Sequence, residues 1–119
     1  MHKLALSHKI GKGTDISDST GLIGRLRVVS YEGNESVDFN FETVGGDNKV
    51  IDQKKYHLSK ERSVWPFSEL KGHKEHSRSL ELYVGLEHDF PGFSLGYSVS
   101  RSLEVIRTDA KNRKKKRSS

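Results

Sequence analysis

Polar and apolar side chains alternate along most of this chain with a period of two, and the runs of alternation predict its elements. From Leu22 to Tyr31, Leu22, Leu26 and Val28 fall on one face and Ile23, Arg25, Arg27, Val29 and Tyr31 on the other, which predicts a strand. Gly33 and Asn34 tolerate positive φ and mark a turn. After it Val37, Phe39 and Phe41 face a core while Asp38, Asn40 and Glu42 face water. Gly45 to Asn48 closes that strand, and Lys49 to Asp52 begins another. The clearest alternation runs from Arg78 to His88, with Leu80, Leu82, Val84 and Leu86 opposite Glu81, Tyr83 and Glu87. Asp89-Phe90-Pro91-Gly92 reads as a turn, because Pro91 presets φ and Gly92 accepts conformations that other residues resist. Beyond it Phe93, Leu95, Tyr97, Val99, Leu103 and Val105 keep odd parity, broken only by Arg101. This predicts one long, bent or bulged strand in a hairpin with its predecessor.

Two regions carry less pattern. Residues 1–21 hold few large apolar side chains after Leu4, Leu6 and Ile10 and are rich in Gly and Asp, which predicts a short strand or arm followed by a loop. In the middle, from Tyr56 to His76, Ser59 is placed to cap a short helix through Val64 and Trp65. Pro66 would interrupt it, since proline lacks the N–H and clashes with the preceding turn. Ser77-Arg78-Ser79-Leu80-Glu81 is echoed by Ser100-Arg101-Ser102-Leu103-Glu104, but two copies fall short of a repeat architecture. The expected fold is therefore mostly β: a small antiparallel barrel or sandwich of five to seven strands with at most one short helix and a basic C-terminal tail.

Composition narrows this picture. A chain of 119 residues is expected to form one globular domain, over 1–107, with 108–119 as an appended basic, flexible tail. The absence of cysteine excludes disulfides, thiol nucleophiles and thiolate metal sites. No apolar run approaches a membrane-spanning helix or a signal-peptide core, so no membrane partner is expected. The net charge of +5 is unevenly placed: residues 108–119 hold six basic side chains against Asp109, and residues 1–107 hold 15 basic and 15 acidic ones. The charge is the tail.

That tail supplies the leading chemistry. Lys111, Arg113, Lys114, Lys115, Lys116 and Arg117 form a polycation suited to neutralising phosphates and releasing their counterions, without reading sequence. Binding of single strands would also need aromatic rings beside cations on an exposed sheet face. Tyr31 with Arg25 and Arg27, and separately Tyr83, are the candidates. The even-numbered side chains Ser94, Gly96, Ser98, Ser100 and Ser102 form a stripe of small residues, suited to the solvated face of an edge strand or to self-association. His73 and His76 could share an ion with His88 or His57, but their order lacks metalloprotease spacing, and no metal or cofactor is expected. His57 with Lys54, Lys55, Glu61 and Arg62 offers the residue types of a metal-independent ribonuclease, although adjacency along a chain is poor ground for convergence in space. Gly11 and Gly13 lack the third glycine of a dinucleotide loop.

The expectation from sequence is a non-enzymatic, nucleic-acid-associated β protein, DNA and RNA not being distinguished, with a homo-oligomer open to it. Its expected location is the cytoplasm or a virion, or the nucleus in a eukaryotic host. The alternative is a structural subunit of a virus or phage particle that self-associates through β hairpins. A small ribonuclease or toxin stands third.

Overall fold

A computed structural model describes residues 2–85 and 92–108. Among the described residues there are nine strands: β1 (His2–His8), β2 (Gly13–Asp18), β3 (Gly21–Glu32), β4 (Ser36–Val44), β5 (Val50–Ser59), β6 (Ser63–Val64), β7 (Leu80–Val84), β8 (Phe93–Val99) and β9 (Glu104–Arg107). They form two antiparallel sheets, ordered β1-β8-β7-β6 and β5-β4-β3-β2-β9. One short helix, α1 (Pro66–Glu69), and a 3-10 turn, Lys74–His76, link β6 to β7. The mostly-β architecture read from the alternation is the one that forms, as a sandwich. More strands are present than the five to seven expected: the short strand expected at the start is β1, but the loop expected after it holds β2, and the long strand expected from Phe93 is two.

The core lies between the sheets. Val37, Phe39 and Phe41 of β4 point inward at every second position. Their register sets Tyr31, Val28 and Leu26 of β3 on one side and Leu58 and Tyr56 of β5 on the other. Leu80, Leu82, Phe93, Leu95, Tyr97 and Val99 of the smaller sheet complete the buried cluster. Aromatic rings join the parts: Phe39 stacks on Tyr56 with centroids 5.2 Å apart, and Tyr31 meets Phe93 across the sheets at 5.8 Å. A fully buried side chain such as Phe39 or Phe93 contributes about 1.5–3 kcal/mol relative to exposure.

Several expectations change, each for a local reason. The pairing of β3 with β4 slips by one residue between Val28 and Ser30, so Val29 is a bulge and the faces exchange beyond it. Tyr31 consequently packs against the core and does not share the face of Arg25 and Arg27. β5 continues through the polar stretch to Ser59, with Tyr56 and Leu58 buried between exposed Lys55 and His57. Pro66 starts α1 where it was expected to end a helix, since a proline in the first helical turn loses no hydrogen bond. It thereby sets Phe67 edge-on against Phe41, with centroids 5.3 Å apart.

The odd-parity run from Phe93 is two strands. β8 ends at Val99, the chain turns with Leu103 N–H donating to the Ser100 carbonyl at 3.1 Å, and β9 joins the other sheet. The echoed segments are both turns that deliver a leucine to the core, Leu80 and Leu103. Ser100 N–H donates to the Ser79 carbonyl at 2.9 Å, tying one to the other. The small-residue stripe is neither solvated nor open for a partner along β8: Ser94, Gly96 and Ser98 are buried. Gly96 pairs directly with Tyr83, whose ring occupies the space a Cβ would take, 2.2 Å from the nearest ring carbon. Of the expected turn at 89–92 only Gly92 is described, with φ of 103°. Leu86, Glu87 and His88 also lie outside the described residues.

Candidate nucleic-acid interface

Arg25 and Arg27 project from the outer face of the five-stranded sheet, since their neighbours Leu26 and Val28 are buried. Antiparallel register extends each into a row across the strands. Asp15, Arg25, Glu42 and Gln53 make one row, and Arg27, Asn40 and Lys55 the next. Asp38 and His57 follow beyond the bulge. Arg25 Nε lies 3.9 Å from Asp15 Oδ1, an exposed pair that holds the guanidinium across the strand but is worth little in stability. Among the described residues Arg27 and Lys55 form no ion pair, so both ammonium and guanidinium remain available to an external anion.

The segment before β2 builds one side of this surface. Gly11 N–H donates to the Val28 carbonyl and Val28 N–H to the Lys12 carbonyl, both at 2.8 Å, which lays Lys12 alongside β3. The approach requires glycine at position 13, because a Cβ there would sit 1.7 Å from the Leu26 carbonyl oxygen. A depression of about 350 Å³ results, lined by Lys12, Arg25, Arg27, Asp15, Glu42 and Thr108. Thr108 ends the described chain, and its hydroxyl donates to the Gly13 carbonyl at 3.4 Å. The described chain thus ends beside the two arginines that the sequence singled out.

A second depression of about 320 Å³ continues the face over Val29, Asn40, Lys55 and His57. His57 Nδ1 is 2.6 Å from Asp38 Oδ1, and the Ser30 hydroxyl donates to Asp38 Oδ2 at 3.0 Å. These hydrogen bonds, that of His57 first, hold the Asp38 carboxyl below its ordinary value, against an opposing contribution from burial. Asn40 Oδ1, between Arg27 and Lys55 in register, is buried and has no hydrogen-bond partner among the described residues.

The arrangement is a flat, mixed-charge face: Lys12, Arg25, Arg27 and Lys55 interleave with Asp15, Asp38 and Glu42. Among the described residues its strands turn no Phe, Tyr or Trp ring outward, and its one exposed ring is the His57 imidazole, bonded to Asp38. Tyr31 is turned into the core, and Tyr83 lies in the other sheet under Lys3, whose Nζ is 6.0 Å from the ring. Such a face can hold phosphate but offers no base-stacking platform. Lys111, Arg113, Lys114, Lys115, Lys116 and Arg117 lie outside the described residues. The residues grouped for ribonuclease chemistry do not all share one face. His57 and Lys55 are on the outer face, whereas Lys54 is on the opposite one, paired with Glu69 at 2.9 Å and 5.0 Å from the Tyr56 ring centre. Lys12, Asn40 and Lys55 were missed in the sequence because only strand register brings them beside Arg27. Comparison with protein-family models, with curated proteins and with solved structures gives no match, so the site is read from its own chemistry.

Proposed function

We propose that the protein is a non-enzymatic, nucleic-acid-associated β sandwich whose basic C-terminal run grips phosphate, with Arg25, Arg27, Lys12 and Lys55 as a secondary contact. The observation that carries this reading is the position of Thr108 in the same depression as Lys12, Arg25 and Arg27. A polyanion held by residues 111–117 is thereby kept next to the sandwich's own cations, and a linked second contact acts at high effective concentration. The lack of an aromatic platform among the described residues favours backbone contact over base readout. The rival reading, a virus or phage particle subunit that self-associates through β hairpins and its Ser/Gly face, loses part of that face where Tyr83 covers it at Gly96.

Fluorescence anisotropy with labelled single-stranded and duplex oligonucleotides across a salt series tests the reading. Six phosphate contacts give a slope of log affinity against log salt of about −4 to −5. A chain ending at Thr108 is expected to bind far more weakly and with a much shallower slope. Arg27→Ala in the full chain is expected to flatten the slope by about one unit. Equal affinity of the full and shortened chains would refute the role given to the tail.

A further inference from the structure

Apart from the phosphate-facing surface, the topology brings Asp18 to Glu75 and His76, 57 and 58 residues further along the chain. Asp18 ends β2, while Glu75 and His76 belong to the 3-10 turn before β7. One ligand atom from each of the three lies within 4.8 Å of the others. Asp18 and His76 are nearly buried, their side chains 10% and 12% exposed, and Asp18 Oδ2 is 2.9 Å from His76 Nε2. We propose that Asp18, Glu75 and His76 form a binding site for a divalent transition-metal cation of the zinc type, clasping the β2–β3 hairpin to the loop after α1.

The groups behind the three donors are arranged as a metal site requires. Asp18 Oδ1 accepts from the Thr20 N–H at 2.8 Å and from the Thr20 hydroxyl at 2.5 Å, which turns Oδ2 toward His76. The far nitrogen of His76, Nδ1, faces the Ser79 hydroxyl at 3.4 Å, so Nε2 is the nitrogen directed at the carboxylates. Metal-binding histidines and carboxylates are typically oriented by such outer hydrogen bonds. The neutral imidazole can meet Asp18 through its own Nε2–H, but Asp18 and Glu75 together bring two carboxylate charges to the group, which a bound cation would offset. A proton serves for two groups, and a metal ion serves for three. Among the described residues no lysine or arginine pairs with Asp18 or Glu75 to supply that charge.

The loop is built to hold this geometry. His73 sits in the left-handed region, φ 51° and ψ 36°, directly after Gly72 at φ 80°. A non-glycine residue there is held by its surroundings, and the hold is visible: Nε2 donates to the Val44 carbonyl at 2.6 Å. In the neutral ring that leaves Nδ1 unprotonated, 3.7 Å from Glu75 Oε1, a fourth donor at the margin of the group. A depression of about 580 Å³ bounded by Thr20, Gly21, Gly45, Asn48 and His73 gives solvent access beside it. One imidazole with two carboxylates suits Zn²⁺ and its first-row neighbours, whereas Mg²⁺ and Ca²⁺ prefer all-oxygen sites with more ligands.

The test is calorimetric titration of the full chain, stripped with EDTA, with ZnCl₂ and with MgCl₂. It is read together with ¹⁵N-detected histidine spectra, which report coordination at an individual ring nitrogen. The expected result is one saturable zinc site, a zinc-induced shift at His76 Nε2, and no heat with magnesium. Glu75→Gln is the fold-safe variant because its side chain is 66% exposed. It should leave the thermal midpoint of the metal-free protein unchanged and weaken zinc binding at least about tenfold, the range seen when a metal site loses a supporting group. Absence of saturable zinc binding would overturn the proposal. So would zinc binding that Glu75→Gln and His76→Ala both leave intact, since the ion would then be held by other histidines.

Discussion

Tyr97→Phe isolates one oxygen atom at the centre of the sandwich. The Tyr97 ring is fully buried, and its hydroxyl lies 2.8 Å from His8 Nε2 and 3.2 Å from Thr14 Oγ1. It thus joins β1, β8 and β2, and so both sheets, through a single group able to donate one proton and accept another. Burial pushes the Tyr97 phenol well above its ordinary range, so the group stays neutral at any pH at which the protein is handled. Removing the oxygen leaves the ring packing in place and takes one partner from each of two buried polar side chains. Two hydrogen bonds at about 1 kcal/mol each, with part of the cost of under-satisfied buried groups added, give a loss of about 2–3 kcal/mol. For a chain of this length the unfolding entropy is about 0.25 kcal/mol/K, so the thermal midpoint should fall by about 8–12 °C. Differential scanning calorimetry of the wild type, Tyr97→Phe, Thr14→Val and the double variant checks it. The double variant should lose less than the sum of the singles, because both remove the same bond. A midpoint within about 2 °C of wild type for Tyr97→Phe, or strictly additive losses, would refute the account of a shared, energetically coupled oxygen.

Two further outcomes follow from backbone packing and from a single carboxylate. Gly13→Ala forces a Cβ to 1.7 Å from the Leu26 carbonyl oxygen, a contact with main chain that no side-chain rotation relieves. A loss of about 3 kcal/mol is expected, visible as a midpoint about 12 °C lower and as lost hydrogen-exchange protection along β2, and an unchanged midpoint would contradict the described approach. Asp52 accepts the Lys71 N–H and the Gln53 N–H, both at 2.9 Å, and these bonds, Lys71 first, hold its carboxyl below the ordinary value. Its contribution is therefore complete above the ordinary aspartate value of about 3.9 and is lost as pH falls through the lower folded value. Urea unfolding midpoints measured against pH should fall less steeply on the acid side for Asp52→Asn than for wild type, and parallel profiles would exclude the linkage.

The alternation in β4 and in the stretch from Leu80 to Val84 was legible because each of these strands has one buried face, so period-two patterning passes directly into structure. The Val29 bulge was not: one inserted residue reverses the phase beyond it and leaves no compositional mark, which is why Tyr31 was assigned to the wrong face. The continuation of β5 past Asp52 was hidden because its exposed edge accepts lysine and glutamine at positions where a central strand would show valine. The end of β8 was hidden by Leu103, which keeps the parity of the strand although it reaches the core from a turn. Of the candidate site, Arg25 and Arg27 were visible as cations within a strand, while Lys12 and Lys55 join them only through pairings that no local signal encodes. The meeting of Asp18 with His76 is a product of topology alone.

The first and last strands of the sandwich are both outer strands, β1 of one sheet and β9 of the other, and Ala5, Leu6, Ser7 and Arg107 line a common cleft. Antiparallel register sets His2 beside Val99, near the start of β9, whereas Thr108, bonded to Gly13, ends the described chain at the other end of that strand. An affinity handle or fluorophore ahead of β1 therefore leaves open the depression that Thr108 shares with Lys12, Arg25 and Arg27. Attachment within the Gly45–Asn48 hairpin, between β4 and β5 on the far side of the larger sheet, keeps a probe or a sensor surface away from it.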